Sequence, residues 1–153
     1  MSINWSGIDN RSLLGRILRL PLRALPKGTV VRIRRGPAKG LKWIVGSSNH
    51  GCWLGTYELD KQHALGRFVR PDMIVYDIGA EAGFCTLFFA RLAKAVYAFE
   101  PFAENVRYLL SHLEMNNLVN VRILQVALAE RSGLTGFTVN RGCYQNTITG
   151  ADE

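Results

Sequence analysis

The chain has 153 residues, a net charge of +7 and 48% hydrophobic residues. That length can bury about 68–70% of the unfolded surface, enough for one domain with or without a small appendage. Nothing approaches the run of about 18 apolar residues that reads as a membrane span, and arginines interrupt the leucine-rich N-terminal stretch, so it lacks the pattern of a secretory signal.

Residues 1–10 read as a loose start. Over residues 11–25, Leu13, Leu14, Ile17, Leu18, Leu22 and Leu25 recur at helical spacing, with Arg11, Arg16, Arg19 and Arg23 on much of the remaining face. Pro21 and Pro26 limit that helix to a few turns. It either docks on its own domain or lies on an anionic membrane surface. Residues 29–34 and 41–45 alternate around a Gly36-Pro37 turn and predict a β-hairpin. Residues 51–69 predict a turn followed by a helix, closed by the Pro71-Asp72 turn.

From Met73 the rhythm changes. Residues 73–79 predict a buried strand ending in glycine, 82–93 a helix, 95–99 a second strand and 101–116 a second helix, with Val106, Leu109, Leu110 and Leu113 on one side. Residues 121–128 predict a third strand and 133–139 a short fourth, before a loop-like NRGCYQNTITG. Strand and helix alternating with tight connections predict an α/β fold: a Rossmann-like, doubly wound, mostly parallel sheet behind a small basic α+β leader, with the boundary at 1–70 and 71–153.

Charge follows that boundary. Residues 1–70 hold 13 Lys and Arg against 3 Asp and Glu, whereas residues 71–153 hold 6 against 9. A basic leader is either a solvated face or a contact for an anionic membrane or partner. Cys52, Cys85 and Cys143 are widely spaced, form no CxxC pair, and make no zinc set with His50, His63 and His112. They predict plain thiols in a reducing cytoplasm and no metal, and the histidines read as surface or capping residues.

The chemistry concentrates in DIGAEAG, residues 77–83, at the carboxyl end of the first predicted strand, where open α/β sheets bind ligands. Gly79 lets the backbone bend and approach a ligand, and Gly83 opens a helix whose first N–H groups suit an anion such as a carboxylate. The second strand ends in Glu100, followed by Pro101; a carboxylate there can accept hydrogen bonds from both hydroxyls of a ribose. An acid closing the second strand beside a glycine turn points to an adenosine-containing ligand. A dinucleotide would need G-x-G-x-x-G to cradle its pyrophosphate, but the spacing here is Gly79-x-x-x-Gly83, and Asp77 would repel phosphate. S-adenosylmethionine carries a sulfonium, an ammonium and no phosphate, so the sign of the charge selects it.

The run VYDIGAEAGFCTLFFARL, followed by VYAFEPFAENVRYLLSHLEMNNLVNVRILQVALAERSG, resembles the FkbM family of S-adenosylmethionine-dependent methyltransferases over roughly residues 73–133, and the upstream GCWLGTYELDKQ is similar to the leader of such proteins. The resemblance implies that Asp77, Gly79 and Gly83, with the adjoining Phe84, hold the amino-acid end of the cofactor. It implies that Glu100, with Pro101, holds the ribose, that Ala127 and Leu128 line the adenine, and that Asn116 caps a helix. The implied reaction is metal-free methyl transfer to a hydroxyl of a small-molecule or glycan acceptor, a sugar or polyketide-like metabolite, with no nucleic acid involved. Glu81 stands where the family has asparagine, and either grips the cofactor's cationic groups or points to solvent. Cys85 replaces a tyrosine and reads as packing. Tyr57 and Glu58 read as leader packing or as contacts to cofactor or acceptor.

A full domain of this class continues with a fourth strand beside the first. The chain is therefore expected to be C-terminally truncated, without a catalytic base, inactive alone, and with its first strand left as an unpaired edge. The competing expectation is a non-catalytic, nucleotide-binding half-fold whose basic leader docks on an anionic membrane or partner. Oligomeric state is open.

Overall fold

A computed structural model of the chain describes residues 25–134, 136–138 and 147–149. Apart from Leu25, the basic helix expected over residues 11–25 lies outside the described residues, as does Cys143.

The alternating segments form β1 (Val30–Arg32) and β2 (Lys42–Ile44), antiparallel with Val31 opposite Trp43. Alternation turns the Trp43 indole wholly inward and leaves Arg32 and Lys42 exposed. Residues 51–69 hold more helix than expected: α1 (His50–Leu54) precedes α2 (Leu59–Phe68). Five residues are too few to show helical periodicity, so α1 has no sequence signature. It is closed by Gly55, whose left-handed conformation returns its N–H to the Cys52 carbonyl.

Beyond residue 70, β3 (Ile74–Ile78), α3 (Phe84–Leu92), β4 (Ala95–Phe99), α4 (Ala103–Met115) and β5 (Val121–Leu124) follow in turn. The three strands form one parallel sheet in the order β3-β4-β5. β5 is shorter than the expected 121–128 because its ladder partner stops: Leu124 pairs with Phe99, the last residue of β4, and Pro101 beyond it has no N–H to donate. The fourth strand, β6 (Gly136–Thr138), pairs antiparallel with β7 (Thr147–Thr149), within a stretch expected as loop. Thr-Ile-Thr is β-branched throughout, a strand signal outweighed in the sequence reading by its glycine and asparagine neighbours.

α3 is apolar on nearly every side, so it must be covered on every side. It packs on β3 and β4 and touches α2, while Arg91 in its last turn donates to the Pro37 and Lys39 carbonyls of the hairpin turn. Ile33, Trp43 and Trp53 of the leader share one hydrophobic cluster with Phe88, Val96 and Leu109, so the core runs across residue 70. Asn116 stitches that junction in both directions, its Oδ1 accepting the Lys42 N–H and its Nδ2 donating to the Lys42 carbonyl. The expected cap thus also serves as a strand partner. Among the described residues β3 pairs only with β4, and no helix is long and apolar enough to cross a membrane.

Candidate cofactor-binding site

The parallel register decides where the acidic side chains stand. Asp77 is paired with Ala98, and Glu100 lies two residues beyond Ala98, so both carboxylates occupy the helix-covered face. Both are buried, Asp77 at 9% and Glu100 at 4% exposure.

Each is already engaged. Asp77 accepts the Thr86 hydroxyl and the Thr86 backbone N–H, anchoring the first turn of α3, where a negative charge is favoured. Glu100 accepts the Glu81 N–H at 2.8 Å on Oε2, and the Phe102 N–H at 2.9 Å and Asn105 Nδ2 at 3.2 Å on Oε1. An ionised carboxylate offers about four acceptor positions. Three are in use, which leaves Glu100 room for one hydroxyl rather than the two expected.

Between them runs the turn. The Gly79 and Ala80 N–H groups both reach the Phe99 carbonyl, pinning the bend to the end of β4. Gly79 sits at φ +76°, and a Cβ there would meet nothing within 4 Å; the bend faces open space. Gly83 has the opposite reason to be glycine: a Cβ there would lie 2.2 Å from Leu109 Cδ1, so it sets the contact between α3 and α4. Glu81 takes φ +48°, a strained conformation for a side chain with a Cβ.

Electrostatically the turn is overloaded. Burial, opposed by the Thr86 hydrogen bonds, raises Asp77 above the ordinary carboxylate range, and the Glu100 charge adds to it. Burial also raises Glu81, followed by the charges of Glu100, Asp77 and Glu58. The ion pairs among the described residues are Lys61–Glu58 and Arg70–Asp72, and neither supplies a cation to Asp77, Glu81 or Glu100. The arrangement favours a cationic guest, whose charge would offset both the crowding and the desolvation.

The remaining expected residues form the surround. Phe84 is buried, with its ring edge-to-face against Trp43 at 5.8 Å and Tyr57 at 6.0 Å. Pro101 is half-buried where the chain leaves β4. Ala127 is half-buried three residues past β5, beyond Leu124, whose carbonyl takes the Glu100 N–H. Burial, followed by the Glu58 and Glu81 charges, pushes the Tyr57 hydroxyl up to about 12, and its ring contact with Phe84 sets the leader's Tyr57 beside the turn. Burial pushes the Cys52 and Cys85 thiols to about 12 as well, the state of inert thiols. No group of three or more His, Cys, Asp or Glu among the described residues is arranged to hold a metal ion.

The sequence reading missed Thr86, Asn105 and the burial of His112. Thr86 was legible, three residues after Gly83 in the first helical turn. His112, expected at the surface or as a cap, is instead wholly buried. Its neighbours are brought together by tertiary packing, so no local pattern announces it.

No protein-family model matches the chain, and no curated protein matches it. Solved structures do. TYW2 from M. jannaschii, in complex with AdoMet, superposes with a TM-score of 0.51 at 19% identity, over 66% of this chain and 44% of that one. TYW2 from P. horikoshii, in complex with MeSAdo, gives 0.51 at 17% identity, over 67% and 38%. The fold is Rossmann-like, of the class I methyltransferase form. An rRNA methylase from Streptococcus thermophilus is also similar, with a TM-score of 0.44 at 23% identity, over 45% and 42%. The chain spans less than half the length of each of these three structures. In the class I methyltransferase form, the turn 77–83 and Glu100 occupy the carboxyl ends of adjacent parallel strands, the edge where open α/β sheets bind ligands.

Proposed function

We propose that the chain binds S-adenosylmethionine at the turn 77–83 and Glu100, as the cofactor-binding part of a methyltransferase of the FkbM kind. Residues 71–153 carry the site behind the basic leader 1–70. The acceptor in this reading is a hydroxyl of a sugar or secondary metabolite. One observation carries the reading: three crowded carboxylates, two of them with raised pKa, surround an open glycine bend, and no cation among the described residues is paired with them. The fold supports it, because the two TYW2 structures that share it were solved with AdoMet and MeSAdo.

When bound, the cofactor supplies a methyl group activated on a sulfonium. The chain's residues bind and orient. Glu100 offers its free acceptor position to one ribose hydroxyl, Glu81 and Asp77 supply negative charge for the ammonium and sulfonium, and Gly79 keeps the approach clear. Holding the methyl donor in line with an acceptor is the main task of such a site.

Titration calorimetry tests this. S-adenosylmethionine is expected to bind at micromolar level and more tightly than S-adenosylhomocysteine, which keeps the ammonium but lacks the sulfonium charge, with Glu81→Gln shrinking that preference. Because the cation needs the ionised carboxylates, affinity should weaken as pH falls through their raised pKa values, by up to about tenfold per pH unit for each proton taken up. Equal affinity for the two ligands, with and without the sulfonium, flat from pH 5 to 8, would refute the electrostatic reading.

A second reading rests on the hairpin, where Arg32, Arg34, Arg35, Lys39 and Lys42 are all exposed. In it the chain is a non-catalytic module that docks on an anionic surface. Salt-sensitive adsorption to phosphatidylserine vesicles, without binding of S-adenosylmethionine, would select it.

A further inference from the structure

We infer that His112 is a positioning residue for the cofactor turn: its imidazole ties the Ala82 carbonyl, inside the turn 77–83, to the backbone of β2 in the leader. The inference rests on the proposed S-adenosylmethionine site and extends it to a side chain that touches no ligand.

Three contacts fix the ring. His112 Nδ1 lies 2.7 Å from the Ala82 carbonyl oxygen, and Nε2 lies 3.0 Å from the Ile44 N–H. The ring is 0% exposed and stacks on Trp43 with centroids 4.0 Å apart and planes 14° apart. A carbonyl can only accept and an amide N–H can only donate, so Nδ1 carries the proton and Nε2 is bare. Burial pulls the imidazole down to about 4, so that neutral tautomer persists at neutral pH.

The position of Ala82 gives the contact its consequence. It sits between Glu81, strained at φ +48°, and Gly83, wedged against Leu109. The turn's other hydrogen bonds run to β4 and its end, through the Phe99 carbonyl and the Glu100 carboxylate, to the first turns of α3, through Thr86 on Asp77 and the Leu87 N–H on the Gly83 carbonyl, or stay within the turn, from the Gly83 N–H to the Ala80 carbonyl. Among the described residues, His112 provides the hydrogen bond that ties the turn to α4 and the hairpin. A strained turn persists only where its surroundings over-determine it. Removing this tie frees Glu81 and the adjoining amides to leave the arrangement that faces the ligand.

Two variants separate positioning from mere packing. Asn in place of His puts Nδ2 where Nδ1 stands, keeping the Ala82 bond while losing the Trp43 stack and the Ile44 acceptor. Leu keeps apolar bulk and loses both bonds. Both are expected to lower Tm, but His112→Leu should weaken S-adenosylhomocysteine binding by about tenfold while His112→Asn stays within about threefold of wild type, each measured where circular dichroism shows full folding. If affinity instead tracks Tm across the pair, the role is structural only and the inference falls. The wild-type chain supplies a readout that survives a failure of either variant to fold. With 15N-labelled histidine, the His112 resonances should report a protonated Nδ1 and a bare Nε2, and should move on adding S-adenosylhomocysteine while His63 does not. A protonated Nε2, or an unmoved His112 in a chain that binds the ligand, overturns the proposal. If the wild type binds neither S-adenosylmethionine nor its product, it is the cofactor reading that fails, and the tautomer still reports on the tie.

Discussion

The two faces of β3 reverse the usual distribution of side chains. On the side under α3 the strand buries a carboxylate, Asp77, and that side of the fold also buries Thr86, Glu100 and His112. On the other side, Ile74, Tyr76 and Ile78 stand 55%, 62% and 65% exposed, with Tyr76 in ring contact with Tyr97 and Phe99. An isolated exposed apolar residue is ordinary, but a buried polar cluster joined to an exposed apolar face calls for explanation. The covered face accepts its polar groups because nearly all have protein partners. What it lacks among the described residues is a cation, and a bound ligand is the simplest source of one. The open face lacks the second helical layer of a doubly wound sheet among the described residues.

The sharpest way to break this comparison is to overfill the covered side. Gly83→Ala drives a methyl group into Leu109 and imposes a left-handed conformation on alanine, and should lower stability by about 3 kcal/mol or more. Gly79→Ala meets open space and carries only the conformational term, about 1–2 kcal/mol. Urea denaturation of the two variants measures the difference, and equal losses would mean that α3 and α4 do not meet as closely as Leu109 requires.

A smaller effect comes from protons. His112 titrates near 6.5 when unfolded and near 4 when folded, so its contribution is whole above pH 6.5 and lost as pH falls toward 4. At about 1.4 kcal/mol per unit, that amounts to roughly 3 kcal/mol. Asp77 and Glu81 act in the opposite sense: their raised pKa values let the folded chain hold protons that the unfolded chain releases, so their repulsion is relieved on acidification. The wild-type curve is therefore the difference of two slopes, and His112→Leu removes one of them. A His112→Leu chain with the same pH profile as wild type would place the imidazole in water rather than in the core.

The smallest effect belongs to the open face. Ile78→Lys should change stability by no more than about 0.5 kcal/mol while lowering concentration-dependent association in light scattering. A loss above about 1 kcal/mol would show that this face is covered in solution, and the contrast between the two sides would disappear.

Most of the parallel unit is legible in the sequence. β3, α3, β4 and α4 announce themselves because each buries a periodic set of side chains, and Gly79, Gly83 and Glu100 mark the strand ends. The hairpin was legible from alternation around Gly36-Pro37. Legibility failed where the partner was distant or the segment short. α1 has five residues and no period, β5 ends where its neighbour runs out of N–H groups, and β7 is only three residues long. The engagement of Glu100 by the Glu81, Phe102 and Asn105 donors could not be read from the spacing that suggested its ligand role.

The sequence by itself determined the order of elements, the acidic character of the strand ends and the glycines between them, because periodicity, propensity and charge are properties of neighbours along the chain. Tertiary structure alone decided that Asp77 and Glu100 share a face, that one acceptor position remains on Glu100, that His112 ties the leader to the turn and that Asn116 ties the leader to the end of α4. Those facts depend on strand register and on contacts between residues as many as 74 positions apart, and a local pattern carries no information about either.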